Sequence, residues 1–205
     1  MLNITKVEEK NQQEALKNAL LKLNSNESEV FYYYDEKTSG LFKNKKTEIY
    51  IITKYELKKF ISSYISSLAN NMNIIIQNEI IIKDNVVNVT LISDKTAALI
   101  GKQGQTLNSI QNLLRQTIKK YGNFNIKINL DVSGYKKKRE KSIAYIAKQT
   151  AKEVSETKIA AQLDPMNSYE RRIVHTQLAD FPNIITESEG EGIDRRVVIK
   201  YEDAK

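Results

Sequence analysis

The chain has 205 residues, 40% of them hydrophobic, and its 32 Lys and Arg against 25 Asp and Glu give a net charge of +7. That length accommodates one to three small domains, and the absence of cysteine excludes disulfides, thiol nucleophiles and Cys-based metal sites. His175 is the single histidine, so we expect no metal site and no cofactor. The sequence has no signal segment and no apolar stretch of roughly 18 residues, so we expect a cytoplasmic chain without membrane insertion.

Residues 1–53 are predicted to form a strand, a helix and two further strands. Apolar residues recur at helical spacing in NQQEALKNALLKLN and define one buried stripe: Ala15, Leu16, Ala19, Leu20 and Leu23. VFYYYD and TEIYIIT are β-branched and aromatic, with a turn at EKTSGLFKNKK between them. Residues 1–52 carry eight Lys and eight acidic residues, so we assign Tyr32, Tyr33 and Tyr34 to strand pairing rather than to base stacking.

Residues 54–133 are predicted to follow the order α-β-β-α-α-β. YELKKFISSYISSLANNM has the apolar period of an amphipathic helix, and Asp84-Asn85 is a turn that joins two strands into a hairpin. A short helix at DKTAALI, the loop GKQG, a helix from Gln105 to about Lys120 and the strand NIKINLDV complete the block. The longer of these helices is expected to bury Leu107, Ile110, Leu114 and Ile118.

The two glycines of GKQG suggest a phosphate-binding turn. Gly101 and Gly104 let the backbone turn sharply and come close to another chain, and the start of the following helix offers N–H groups that suit phosphate oxygens. Lys102 adds an ammonium group. The alternative is a tight turn between two helices without any ligand. The spacing matches neither a Walker loop nor a dinucleotide-binding fingerprint.

Residues 134–205 are predicted to begin with a basic helix, approximately Tyr135 to Glu156. YKKKREKSIAYIAKQTAK carries seven basic residues against one acidic residue, and Lys136, Lys137, Lys138 and Arg139 are expected to attract a polyanion. Pro165 is expected at the start of a helix over MNSYERRIVHTQLAD. Two strands, NIITES and RRVVIKY, follow on either side of the acidic turn SEGEGID.

ERRIVH places Arg171 and His175 on one face of that helix, where a guanidinium and an imidazole suit a phosphate group. The alternative is a solvated arginine beside a half-buried histidine that a neighbouring residue satisfies. Arg195 and Arg196 alternate across a strand, so one of them is available for the same surface, and the sequence does not decide which.

Leu99 to Leu107, LIGKQGQTL, resembles the core motif of the K-homology (KH) family, and the order of elements around it resembles the bacterial type II form. In that family the GxxG loop holds single-stranded RNA by its phosphates. The resemblance assigns RNA contacts to Gly101, Lys102, Gln103 and Gly104, and it places Ile100 and Leu107 in the adjacent groove or its floor.

PMNSYERRIVH followed by ITESEGEGIDRRVVI resembles the R-3-H domain, which binds single-stranded nucleic acid. A KH domain followed by an R-3-H domain is the arrangement of the bacterial Jag (KhpB, SpoIIIJ-associated) family, and SGLFKNKKTEIYI resembles its Jag-N domain. The resemblance implies an α+β chain of three small domains: Jag-N at 1–53, type II KH at 54–133, and R-3-H with its basic linking helix at 134–205.

The leading hypothesis is a non-enzymatic binder of single-stranded RNA, with single-stranded DNA left open. The resemblance implies a post-transcriptional regulator or RNA chaperone linked to cell envelope growth and division, with a small KH-domain protein (KhpA-like) as a partner. A protein adaptor that docks through its first block is the second hypothesis, and homodimerisation is left open. A nuclease would need carboxylates, for which Glu187, Glu189 and Glu191 are the candidates, but a solvated turn explains them better.

Overall fold

The computed structural model describes residues 1–39 and 44–203. Contacts between Cα atoms divide the chain into two compact units, Met1–Ser133 and Gly134–Lys205. The division into three domains, with boundaries after residues 53 and 133, stays a prediction. In the described ranges no helix combines the length and the apolar character needed to cross a membrane.

The first sheet has the predicted elements. β1 (Thr5–Glu9), β2 (Val30–Ser39) and β3 (Asn44–Thr53) form an antiparallel sheet in the order β1-β3-β2, and α1 (Gln12–Leu23) packs on it. Asn11 caps α1 by accepting a hydrogen bond from the Glu14 N–H at 2.9 Å. Ala15 and Ala19 are completely buried, and the three leucines of the predicted stripe pack partly buried against the same core. Residues 40–43 of the predicted turn lie outside the described residues.

The tyrosines of β2 are used within the fold, as predicted. The Tyr33 ring stacks on Tyr50 at 4.9 Å between centroids and meets the edge of Phe124 at 5.0 Å. The Tyr32 hydroxyl donates to Glu27 at 2.6 Å. A Cβ on Gly122 would lie 2.4 Å from Cε1 of Tyr33, so the absence of a side chain there lets the ring approach the backbone of Gly122.

The second sheet confirms the order α-β-β-α-α-β. Its elements are α2 (Lys54–Asn71), β4 (Ile76–Lys83), β5 (Val86–Ser93), α3 (Thr96–Ile100), α4 (Gln105–Lys119) and β6 (Lys127–Val132). β4 and β5 form the predicted hairpin around Asp84-Asn85, and β6 runs parallel to β5. Thr53 is both the last residue of β3 and the N-cap of α2, where its hydroxyl accepts from the Glu56 N–H, so no linker separates β3 from α2.

The helices of this sheet bury most of the apolar residues that their periodicity predicts, while Phe60, Tyr64 and Leu68 of the α2 stripe are half-buried. Leu57, Ile61 and Ile65 of α2 are at most 2% exposed, and the four residues predicted for α4 are at most 4% exposed. Each such side chain contributes about 1.5–3 kcal/mol to folding. α4 also covers the outer edge of β6: Gln111 Oε1 accepts from the Leu130 N–H at 2.8 Å, and Arg115 donates from Nε and Nη2 to the Ile128 carbonyl.

The second unit has the predicted helices and short sheet, but the helix expected as a linker packs on the sheet as well. α5 (Tyr135–Thr157) and α6 (Ser168–Leu178) pack on β7 (Ala161–Gln162), β8 (Ile184–Glu189) and β9 (Arg196–Tyr201), which are antiparallel in the order β7-β9-β8. The core contains one side of α5 together with residues of α6 and β9: Ile143, Ala147, Ala151, Val154, Val174, Leu178, Val197 and Ile199. The two-residue strand β7 has no counterpart among the predicted elements.

The prediction that Pro165 opens α6 is wrong. The helix begins at Ser168, and Asn167 is its N-cap in a capping box: its side chain accepts from the Glu170 N–H, and the Glu170 carboxylate accepts from the Asn167 N–H, both at 3.0 Å. These reciprocal bonds satisfy two backbone donors, which Pro165 cannot do from three positions before the first helical residue.

Candidate nucleic-acid interface

The GKQG loop connects α3 to α4 through a backbone that only glycine adopts readily. Gly101 has φ 70° and ψ −178°, and Gly104 has φ 81°. A Cβ on Gly101 would lie 2.2 Å from Oγ1 and 3.0 Å from the backbone nitrogen of Thr106, so the loop folds directly against the first turn of α4. The two glycines therefore fix the shape of the loop.

The loop presents its polar residues outward. Lys102 is exposed, and Gln103 is half-buried with φ 51°, a left-handed conformation. Gly104 occupies the N-cap position of α4 and has no side chain with which to cap the helix. The N-terminus of α4, with its partial positive charge, therefore begins at the loop that carries Lys102.

The apolar residues predicted beside the loop differ in access. Ile100, the last residue of α3, is half-buried and contributes to the surface. Leu107 is 1% exposed, so it belongs to the core beneath the loop and cannot touch a ligand directly. Of the two predicted placements, groove or floor, only the floor fits Leu107.

The Arg171 and His175 side chains lie on the same side of α6, both half-buried. His175 Nδ1 lies 2.7 Å from the Thr186 hydroxyl and Nε2 lies 3.0 Å from the Ser188 hydroxyl, so both ring nitrogens have partners on β8. Burial, and secondly the charge of Arg171, lower the pKa of His175 from its ordinary 6.5. Both effects favour the neutral ring, and its contacts match the alternative interpretation of a half-buried histidine held by its neighbours.

Arg171 anchors a loop of its own unit. Its Nη1 donates to the Met166 carbonyl at 2.9 Å, and the Met166 N–H donates to the Arg195 carbonyl at 3.0 Å. The guanidinium retains further donors, because one of its five N–H groups is used in this contact. A phosphate contact by Arg171 stays a prediction.

The two arginines that the sequence left open lie at the start of β9: Arg196 is its first residue, and Arg195 precedes it. Arg196 pairs with Glu189, on the side of the sheet that also carries Lys200, and its Nε donates to the Asp194 carbonyl. Arg195 is exposed and precedes the strand, so the alternation of β9 does not fix the side of its side chain, and its carbonyl accepts from the Met166 N–H at 3.0 Å. An RNA contact by either arginine stays a prediction.

The basic start of α5 divides into two kinds of residue. Lys137 and Lys138 are exposed, whereas Lys136 is half-buried. Arg139 was expected to attract a polyanion, but it is engaged within its own unit. Its Nε donates to Glu170 at 2.8 Å, and the two side chains are 22% and 7% exposed. Since Glu170 also belongs to the capping box, Arg139 connects α5 to the start of α6.

The acidic turn has a partner in the sheet. Lys200 of β9 forms ion pairs with Glu187 and with Glu189, the latter at 2.9 Å. Hydrogen bonds from Lys200 to both carboxylates raise the pKa of its ammonium group. Among the residues described, no group of three or more His, Cys, Asp or Glu side chains could hold a metal ion.

Two family models match the parts of the chain that contain these features. One, described as "KhpA/KhpB, KH domain", matches residues 58–131 and includes the GKQG loop. The other, the model of the R-3-H domain, matches residues 141–201 and includes Arg171 and His175.

The chain is also similar to curated proteins. A protein of Clostridium symbiosum named "RNA-binding protein KhpB" is 32% identical over 97% of this chain and 91% of its own length. Its namesake from Bacillus subtilis is 30% identical over 79% of each chain. A third, from Lactiplantibacillus plantarum, is 37% identical over 51% of this chain and 33% of its own.

Three observations point to the same family. They are the glycine loop at the start of α4, the Arg171 and His175 pair on α6, and a match over 91% of the length of a curated relative. The chain belongs to the KhpB family.

Proposed function

We propose that this chain binds single-stranded RNA, and that the GKQG loop holds the phosphate backbone. The observation that carries the proposal is the close approach of Gly101 to Thr106, which brings a loop with an exposed lysine against the first turn of α4, where backbone N–H groups suit phosphates. Membership of a family whose curated members are named RNA-binding proteins supports the same ligand.

The test adds negative charge to the loop without changing its glycines. In the double variant Lys102→Asp with Gln103→Asp, the exposed Lys102 is replaced and Gln103, at φ 51°, receives a residue type that tolerates the left-handed region. Gln13→Asp with Lys17→Asp is the matched control, because both residues are exposed on α1 and the change in charge is identical.

We expect the loop variant to lose at least about tenfold in affinity for an unstructured, labelled RNA oligonucleotide, since two carboxylates replace one phosphate-binding cation. The control is expected to stay within about twofold of the unmodified chain at physiological salt, where charges far from the site are screened. Equal affinity of the loop variant and the control would refute the loop as the RNA site.

A non-enzymatic role accompanies this proposal. The two carboxylates best placed for nuclease chemistry, Glu187 and Glu189, are paired with Lys200. We expect the purified chain to leave bound RNA intact in the presence of Mg²⁺, and RNA cleavage that is lost on Glu187→Gln with Glu189→Gln would contradict this.

The cellular role that we propose rests on family membership. It comprises a cytoplasmic post-transcriptional regulator or RNA chaperone, a link to cell envelope growth and division, and a small KH-domain partner. Crosslinking of RNA in cells, followed by sequencing, tests the regulatory part directly: recovery of no enriched transcript would argue against it.

A further inference from the structure

A row of basic side chains with a tyrosine at its centre runs along α5. It consists of Lys138, Lys141, Tyr145, Lys148 and Lys152, and we call it the α5 row. Successive members are three and four residues apart, so they share one side of the helix. The α5 residues in the core lie on the opposite side: Ile143, Ala147, Ala151 and Val154.

Every member of the α5 row is open to solvent. The four lysines are exposed, and the Tyr145 ring shows 64% of its surface. Between its first and last members the row extends about 21 Å, the rise of fourteen residues of α-helix. Glu156, one turn beyond Lys152, ends it.

The positive charge of the row is not neutralised by neighbours. Glu140 is the only acidic residue from Tyr135 to Lys152, and its carboxylate accepts a hydrogen bond from the Tyr169 hydroxyl at 2.8 Å. Within residues 1–39 and 44–203, none of the four lysines of the row forms an ion pair. Four cations along one side of the helix are therefore available to a polyanion.

The chemistry of the row distinguishes between polyanions. A helix that lies on a membrane inserts an apolar side into the lipid, and the apolar side of α5 is occupied by the core of its own unit. A tyrosine ring among cations suits a strand with unpaired bases, which stack on aromatic faces while lysines neutralise the phosphates. In a duplex the bases are already stacked and offer no face to Tyr145.

We propose that the α5 row is a second contact surface for single-stranded RNA, separate from the GKQG loop, in which the lysines neutralise phosphates and Tyr145 stacks on a base. This inference takes its ligand class from the proposed function but rests on different residues. It assigns to Tyr145 a role that neither family motif contains.

The experiment measures RNA affinity of the full chain as a function of salt. The variant Lys141→Gln with Lys148→Gln removes two cations from the row, and Lys17→Gln with Lys22→Gln removes two exposed lysines of α1 as the matched control. For two lost phosphate contacts, the slope of log affinity against log salt should become shallower by about 1.4 in the row variant and stay unchanged in the control.

Tyr145 is tested with Tyr145→Ala and Tyr145→Phe. We expect Tyr145→Ala to bind about 5- to 150-fold more weakly with an unchanged salt slope, because stacking is lost and no charge is removed. Tyr145→Phe retains the ring and should bind like the unmodified chain. Far-UV circular dichroism of each variant checks that α5 is intact.

Three outcomes overturn the inference. They are a salt slope for the row variant equal to that of the control, equal affinity of Tyr145→Ala and Tyr145→Phe, and a row variant that loses binding only to vesicles of phosphatidylglycerol and phosphatidylcholine. Failure of the proposed function is a different result, in which Lys102→Asp with Gln103→Asp binds as well as its own control while the row variants bind more weakly.

Discussion

Replacing Gly101 by alanine tests the geometry of the GKQG loop most directly. The new Cβ would lie 2.2 Å from Oγ1, 2.8 Å from Cβ and 3.0 Å from N of Thr106. Rotation of the threonine side chain moves Oγ1 away, but the Cβ and N atoms are fixed to the backbone of α4. The loop must therefore shift away from the helix.

Two costs combine in Gly101→Ala. Holding a residue with a side chain at φ 70° and ψ −178° costs about 1–3 kcal/mol, and overpacking against the first turn of α4 costs about 1–3 kcal/mol more. We expect the free energy of unfolding of the first unit to fall by about 2–6 kcal/mol. Gly134→Ala is the control: Gly134 has φ 74° and ψ 19° with nothing within 4 Å of an added Cβ, so only the strain of about 1–2 kcal/mol applies.

Urea unfolding is followed by amide NMR signals, which report the unfolding of each unit separately. A single probe would merge the two transitions. Repeating Gly101→Ala in a Thr106→Gly chain completes a double-mutant cycle, and the alanine should cost about 1–2 kcal/mol less there because two of the three close atoms are gone. A cost for Gly101→Ala no larger than that of Gly134→Ala, or equal in both backgrounds, would refute the proposed contact.

Two further predictions concern the second unit. The pKa of His175 is lowered in the folded chain, so on acidification the unfolded chain binds a proton first. The contribution of His175 to stability is therefore fully present above about pH 6.5, and it is lost as the pH falls through the lowered pKa of the folded chain. As this is the only histidine, its NMR titration is unambiguous, and a midpoint at or above 6.5 would contradict the stated burial effect. Arg139→Met should lower the free energy of unfolding of the unit by about 2–3 kcal/mol, since it leaves the buried Glu170 carboxylate without its cation. The control Lys137→Met replaces an exposed lysine and should change stability in urea by less than about 0.5 kcal/mol. Equal effects of the two variants would argue against the ion pair.

Periodicity and turn chemistry were sufficient to predict most of the fold. The apolar spacing of α4 identified four residues that the structure buries, that of α2 identified three, and Asp84-Asn85 located the hairpin. Such signals are local, because a helix or hairpin is specified by residues a few positions apart. The error at α6 was avoidable on the same grounds, because Asn167 and Glu170, three residues apart, form a capping box whose pattern is visible in the sequence.

The roles of single side chains were harder to predict, since their partners are distant in sequence. Arg139 meets Glu170, 31 residues away, and His175 meets hydroxyls 11 and 13 residues away on β8. Nothing in the spacing of ERRIVH indicates that its histidine faces two hydroxyl groups. The close approach of Gly101 to Thr106 could have been anticipated, because a glycine just before a helix often permits such contact.

The side chains of α4 that cover β6 have a consequence for self-association. A strand that joined this sheet at β6 would need the Leu130 N–H and the Ile128 carbonyl, and Gln111 and Arg115 already occupy both. At β4, the opposite outer strand, charged Glu79 and Lys83 are the deterrents instead. Edge-to-edge association of this sheet is therefore opposed by fixed hydrogen bonds at β6 and by charge alone at β4. Salt screens charge, so it should weaken only the barrier at β4.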